Sequence, residues 1–293
     1  MTVTDALGAE LPIPEEGQAQ TPRVGDVWVL SSDGRDVGVV VVSAVRDTHV
    51  LAWPVTNESS VASFPAFRFG VEEDATFVAW PEAEFGLVNA GLDRRIGRAL
   101  TADQTKAVFR SMHSGRVAEG VDYCEEKTDS EANLALGAVC AEAWRLGDLA
   151  LLSAGGGVVL DSAVLEENGV DSERLEGVVS VQPAIASRLW LGEAVPTDQQ
   201  LAKILTLFPQ GTSSEDVLVP MSGDEARVVS SPEFKSAIKE LAASNGVAES
   251  RVRMQLWEDS LSIAARDSDK GSLQAARRRV RIALAGLQEN PAF

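Results

Sequence analysis

Four arginines stand within five positions near the carboxyl end of this 293-residue chain: Arg277, Arg278, Arg279 and Arg281, its densest basic cluster. On a helix Arg277 and Arg281 share one face at i, i+4, while Val280, Leu284 and Leu287 line another. Guanidinium groups so placed suit two tasks, bonding to phosphate or pairing with carboxylates of the same chain. Carboxylates are plentiful, because 44 Asp and Glu against 26 Lys and Arg give a formal charge of −18. The imbalance is uneven: residues 231–293 hold ten basic and eight acidic side chains, so the whole excess of negative charge lies in residues 1–230. Acidity of this size favours solubility and repels a polyanion from the body as a whole. Contact with DNA or RNA is therefore expected at the carboxyl end or at small basic patches. Soft metal ligands are scarce, with Cys124, Cys140, His49 and His113 the only cysteines and histidines. Neither a zinc site nor a disulfide framework is expected, and no metal or cofactor.

A second candidate lies just upstream. "ELAASNGVAESRVRMQL" places small Ala242 four residues before Gly246, and Val252 six residues after it. Close helix crossing wants a small residue and a sharp turn wants positive φ, so the segment resembles a helix-turn-helix. Its second helix would begin near Ala248 and aim Glu249, Ser250, Arg251, Arg253 and Gln255 toward a groove, with Val252 and Leu256 buried. Ser250, Arg251, Arg253 and Gln255, with Arg277, Arg278 and Arg281, are then the candidate DNA-binding residues: arginine and glutamine read base edges, and serine reaches phosphate. An ordinary helical hairpin fits the same spacing.

These groups need elements to hold them. The first 20 residues are polar and rich in Pro, Glu and Gln, the composition of a disordered tail. From Pro22, "VGDVWVLSS", "VGVVVVSAV" and "THVLAWPVT" are β-branched and aromatic runs separated by "DGRD" and "RDT", which predicts antiparallel strands with tight turns. "FRFGV" and "ATFVAWP" add two more. Thr101 and Gln104 then stand at capping-box spacing before a helical pattern. Residues 116–143 read as a charged linker and a short helix. "RLGDLALLSAGG" at 145–156 matches "RVGDVWVLSSDG" at 23–34 in six of twelve positions. It is followed by "GVVLDSAV", "EGVVSVQPAI" and a second capped helix at Thr197 and Gln200. The repeated order predicts a duplicated β-rich unit over 144–230, after a first unit over 21–115. Residues 231–293 read as a helical domain, opened by Ser231 as cap and Pro232 at the first position. The six tryptophans are spread evenly, which predicts core filling.

The first unit resembles the PemK/MazF family of toxin endoribonucleases, through "RVGDVWVL", "VVVVS", "AWPVT" and "RRIGRALTADQTKAVFRSM" in that order over Pro22 to His113. The resemblance implies an α+β fold of two SH3-like β-barrels, the second degenerate, each followed by a helix, plus the C-terminal helical domain. It also implies metal-independent cleavage of single-stranded RNA by an arginine before the second strand and a threonine after the third. Thr56 stands at the threonine's place. Arg35 is the nearest arginine and lies outside the family's register; Ile185 stands at the corresponding place in the second copy. The reading is therefore a non-catalytic regulatory or scaffold protein that binds nucleic acid, through the carboxyl helices, or a protein partner. An endoribonuclease using Thr56 and Arg35 and a protein-only assembly module are the alternatives. Family members are homodimers, so a homodimer or an intramolecular pseudo-dimer of the two copies is implied. No run of about 18 apolar residues and no secretory signal is present, which predicts a cytoplasmic protein without a membrane partner.

Overall fold

Two-faced burial organises the first half of the chain in a computed structural model, which describes residues 21–57, 62, 64–72, 75–124, 130–154, 158–220, 223–264 and 272–291. The expected tail lies outside them. The predicted strands form: β1 (Asp26–Ser32), β2 (Arg35–Val45), β3 (His49–Asn57), β4 (Phe67–Glu72) and β5 (Ala75–Ala79). Three shorter ones join them, β6 (Phe85–Val88), β7 (Leu92–Arg98) and β8 (Asp122–Tyr123). All pairings are antiparallel, in the order β7-β1-β2-β3-β5-β4-β8 with β6 on β3. The outermost strands do not pair with each other, so the sheet is not closed into a barrel.

Asp33 and Gly34, at φ of +47° and +73°, make the two-residue turn between β1 and β2 that "DG" encodes. Both faces of the central strands are covered, which is why they read as unbroken apolar runs instead of alternating ones. Val27, Val29, Val39, Val41, Trp53 and Val55 face a core closed by Leu100 and by Val108 of α1 (Ala102–Ser114). Trp28, Leu30, Val40, Val42, Val50 and Ala52 face Leu146 and Ala150 of α2 (Ser130–Ala154). Thr101 and Gln104 form the predicted capping box. Gly25 is required twice over, by φ of +85° and because a β-carbon there would sit 1.8 Å from the carbonyl oxygen of Leu100.

Of the expected second set of strands only the start of "GVVLDSAV" forms one, a three-residue strand over 158–160. "RLGDLALLS" lies inside α2, "EGVVSVQPAI" enters α4 (Ser172–Val179) and α5 (Pro183–Trp190), and "DSAV" opens α3 (Ser162–Glu167). Where the first copy has Val and Trp, the second has Leu and Ala, which are strong helix formers, and an Ala-rich helix already runs into it without a breaker. Gly147 and Asp148 are thus helical residues, and the linker-and-short-helix expectation for 116–143 gives way to one long helix preceded by β8. Among the described residues no second barrel exists for a pseudo-dimer. The second capped helix does form, as α6 (Asp198–Leu205) with Thr197 and Gln200 bonded in both directions.

The chain divides into two units, residues 1–154 with 230–249, and 155–229 with 250–293. The chain passes from the second unit back to the first at 229/230, beside the expected boundary at 231, and re-enters the second unit at 250. The second unit is largely helical. It adds α7 (Ser214–Val217) and a two-stranded ladder of β9 (Val158–Leu160) with β10 (Leu218–Pro220), around a core of Leu160, Leu165, Leu175, Leu189, Ile204 and Val217. It also holds α8 (Gly223–Val229), most of α10 (Glu249–Ala264) and α11 (Leu273–Glu289). No described helix is long and apolar enough to cross a membrane.

In the first unit, α9 (Lys235–Asn245) is fixed to the sheet by a buried charge. Lys235 Nζ donates to the carbonyl oxygens of Ser31 and Ala90, both at 3.0 Å, and to Glu249 Oε2 at 2.6 Å. Glu249 Oε1 accepts from the Gly34 amide at 2.9 Å. One turn along α9, Lys239 meets Asp93 at 2.8 Å. Breaking a buried pair from one side strands the other charge. Lys235→Met is expected to cost about 3–5 kcal/mol in urea unfolding, and Lys235→Met with Glu249→Gln to recover at least half of that loss.

Candidate functional site

Thr56 and Arg35 sit on neighbouring strands but are not brought together. Pairing of β2 with β3 ends at Val40 opposite Pro54; beyond it Thr56 is two residues on and Arg35 five. Three residues of strand is on the order of 10 Å. Arg35 is an exposed turn-end residue opposite Ser32. Thr56 has left β2 to pair with Val78 of β5, and its hydroxyl accepts the indole N–H of Trp80 at 2.9 Å. Trp80 is 3% exposed, so the hydroxyl satisfies a buried donor.

The carboxyl candidates divide. Gly246, at φ of +64°, ends α9 as the turn requires, Val247 N–H donating to Ala242 O at 3.0 Å. Val252 and Leu256 are buried as expected, Arg251 is exposed and Ser250 half-buried. Arg253 is not a surface residue: it is fully buried and donates to the Val229 carbonyl within the second unit. Glu249 is buried too. Gln255 Nε2 donates to Asp259 Oδ1 at 2.9 Å, the i, i+4 bond that a helix allows. On α11, Arg278 and Arg281 are exposed and Arg277 half-buried, while Arg279 is buried against Glu225. One arginine of the cluster thus serves the carboxylate pairing that the acidic composition offers.

A different basic constellation stands on the sheet's edge. β7 pairs with β1 through a register in which Asp26 meets Arg98, Val27 meets Gly97 and Trp28 meets Arg95. Ile96 is the extra residue, and this bulge turns Arg95 and Arg98 to the same face as Asp26 and Trp28. Asp26 is 1% exposed, and its Oδ1 lies 3.0 Å from Nε of Arg95 and 3.6 Å from Nε of Arg98. Its other oxygen accepts the Arg23 amide at 3.2 Å. Asp26 is the only partner that either arginine has among the described residues, and both guanidinium groups reach solvent, at 34% and 46% exposure. Arg94 turns the other way, to Asp36 and Asp93, and the Asp36 hydrogen bond raises its pKa above the ordinary arginine value. Sequence reasoning missed Arg95 and Arg98. The string "DRRIGR" shows the charges, but only the bulge brings them to one carboxylate.

An open hollow of about 810 Å³ runs along the end of α1, lined by Phe109, Arg110, His113, Arg116 and Val117 among others. His113 Nδ1 lies 3.0 Å from the Phe109 carbonyl oxygen. No predicted site residue lines it. Among the described residues no group of three or more His, Cys, Asp or Glu could hold a metal ion.

Comparison of the chain with protein-family models, with curated proteins and with solved structures finds no match in any of the three.

The Trp80 bond makes Thr56 testable as a structural residue. Thr56→Val, which keeps the shape and removes the acceptor, is expected to cost about 1–3 kcal/mol in urea unfolding. Thr56→Ser should stay close to the parent.

Proposed function

We propose that this chain is a non-catalytic regulatory or scaffold protein that binds single-stranded nucleic acid at the arginine edge of its N-terminal sheet. That sheet, on this reading, is an opened relative of the PemK/MazF barrel. What supports the kinship is the order of "RVGDVWVL", "VVVVS" and "AWPVT" on three successive strands, followed by a capped helix. The observation that carries the binding reading is Asp26 holding Arg95 and Arg98 side by side. The contacts to Asp26 Oδ1 are ion pairs without a hydrogen bond, so guanidinium N–H groups remain to grip a phosphate in bidentate fashion. A buried anchor also removes much of the side-chain entropy that two loose arginines would lose on binding.

Cleavage would require a cation and a hydroxyl on one phosphate. Arg35 and Thr56 are a three-residue offset apart, and the hydroxyl already serves Trp80. DNA recognition through α10 would lack Arg253, its central arginine. A protein partner is the second reading, favoured by one observation, the exposed tryptophan of α2.

Fluorescence anisotropy with a labelled single-stranded RNA in EDTA tests the proposal. The parent should bind with affinity falling as salt rises. Arg95→Gln with Arg98→Gln should lower the slope of log affinity on log salt by about 1.4, from two lost phosphate contacts. An Arg251→Gln control should match the parent. Equal binding by the double variant would sink the arginine-edge reading, and RNA cleavage abolished by Thr56→Ala would replace it with the nuclease.

A further inference from the structure

The hollow at the end of α1 is shaped by the way that helix stops. Gly115, at φ of +66°, caps it, its amide donating to the Ser111 carbonyl oxygen at 2.8 Å, and the chain turns back through Arg116, Val117 and Ala118. Residues on both sides of that turn line the hollow, whose volume is about 810 Å³. Clefts that take small molecules run to about 300–1,000 Å³.

One part of the lining is apolar and fixed. Phe109 is half-buried, and its ring packs against the fully buried Trp53 with centroids 5.4 Å apart. Ala118 is buried, while Val117 beside it is 70% exposed, a large apolar side chain left to water. Covering it is favourable for whatever enters.

The other part is cationic. Arg110, His113 and Arg116 line the same hollow, all three are exposed, and among the described residues no acidic side chain lines it. Neither guanidinium has a partner among the described residues. Elsewhere in this acidic chain Arg94, Arg188 and Arg279 each find a carboxylate. Two unpaired cations around one turn repel each other, and an anion seated between them relieves that repulsion. The carbonyl oxygens at a helix end would oppose such an anion. Here they are already occupied, that of Phe109 by His113 Nδ1 at 3.0 Å, that of Arg110 by Ser114 Oγ at 2.8 Å and that of Ser111 by the Gly115 amide. A carbonyl oxygen only accepts, so Nδ1 of His113 carries the proton of its bond and Nε2 is left for a ligand.

We propose that this hollow binds a small organic anion, an apolar body that ends in a carboxylate or phosphate head. The head lies with Arg110 and Arg116, since guanidinium groups suit either oxyanion, and the body covers Phe109 and Val117. Arg95 and Arg98 do not line the hollow, so the site is separate from the arginine edge of β7. Isothermal titration of the full chain with octanoate, octyl phosphate and 1-octanol tests it. One saturable site is expected for at least one of the two anions, the tighter of them identifying the head, with the alcohol at least about tenfold weaker. Arg110→Gln with Arg116→Gln, both at exposed positions, should keep the parent's circular dichroism and weaken the anion by at least about tenfold. Val117→Asp should weaken it as well, and Arg251→Gln should match the parent. The double variant should bind single-stranded RNA as the parent does. No saturable binding of either anion, an alcohol that binds equally well, or a double variant with unchanged affinity overturns the proposal. Loss of RNA binding in the double variant also overturns it, because the hollow then belongs to a nucleic-acid surface.

Discussion

Lys235 and Glu249 form the interaction on which the first unit depends. An ammonium and a carboxylate, each removed from water, cost several kcal/mol apiece unless every donor and acceptor is met. Here the three protons of Lys235 go to Ser31, Ala90 and Glu249, and Glu249 takes the Gly34 amide in return. Those partners come from the tip of the β1–β2 hairpin, from the turn at Asn89–Gly91 before β7, and from either end of the segment 235–249. A geometry this demanding admits one register of the hairpin and one seat for α9. A stretch some 200 residues downstream in sequence thereby becomes part of the N-terminal sheet's architecture. It also explains the boundary: the helix that reads as the first arm of a helix-turn-helix spends a face, with Lys235 and Lys239 one turn apart, on holding the sheet.

The sheet itself is shaped by covering both of its faces. A small closed barrel fills its inside and leaves its outside to water, and its strands alternate accordingly. In β2 the alternate positions are equally buried, Val39 and Val41 beneath α1 and Val40 and Val42 beneath α2. Gly38 belongs to the same design, since a β-carbon there would lie 2.8 Å from the side chain of Leu146. Once a 25-residue helix lies on the outer face, closure is no longer needed to bury that face. The edges are managed differently. β7 carries Arg94, Arg95 and Arg98, and charged side chains discourage strand addition at an open edge.

What was legible in the sequence follows the range of the physics involved. Local signals read true: "DG" between apolar runs is a two-residue hairpin, Thr101 and Thr197 begin capped helices, and Gly246 ends one in a left-handed turn. The duplication misread has a local cause as well. "RLGDLALLS" shares glycine, aspartate and leucine with its counterpart, yet Val27, Trp28 and Val29 become Leu149, Ala150 and Leu151. That exchange changes the preferred backbone while leaving the pattern of identities intact. Non-local arrangements were not legible. Whether Arg95 and Arg98 face the same way depends on one bulge at Ile96, and whether Arg253 faces outward depends on where the Val229 carbonyl lies. The position of Arg35 relative to Thr56 turns on where β3 leaves β2 for β5, which no spacing in the sequence encodes.

The placement of the arginines bears on how an acidic chain could present the basic edge proposed to bind nucleic acid. Most cations whose partners are known are neutralised within a unit: Arg94 by Asp36 and Asp93, Arg188 by Glu258, Arg279 by Glu225, Arg145 by Glu142 and Lys239 by Asp93. Such pairing removes cations from the surface one by one, so the long-range field stays that of a polyanion and offers no general attraction to nucleic acid. Asp26 differs because one buried carboxylate faces two guanidinium groups, leaving a local surplus of one positive charge. Over the Debye length of ~8 Å at physiological salt, that surplus is felt only by a phosphate already close to the edge. On the proposed reading, recognition by such a pair would rest on geometry at short range, which independent, flexible side chains would not supply.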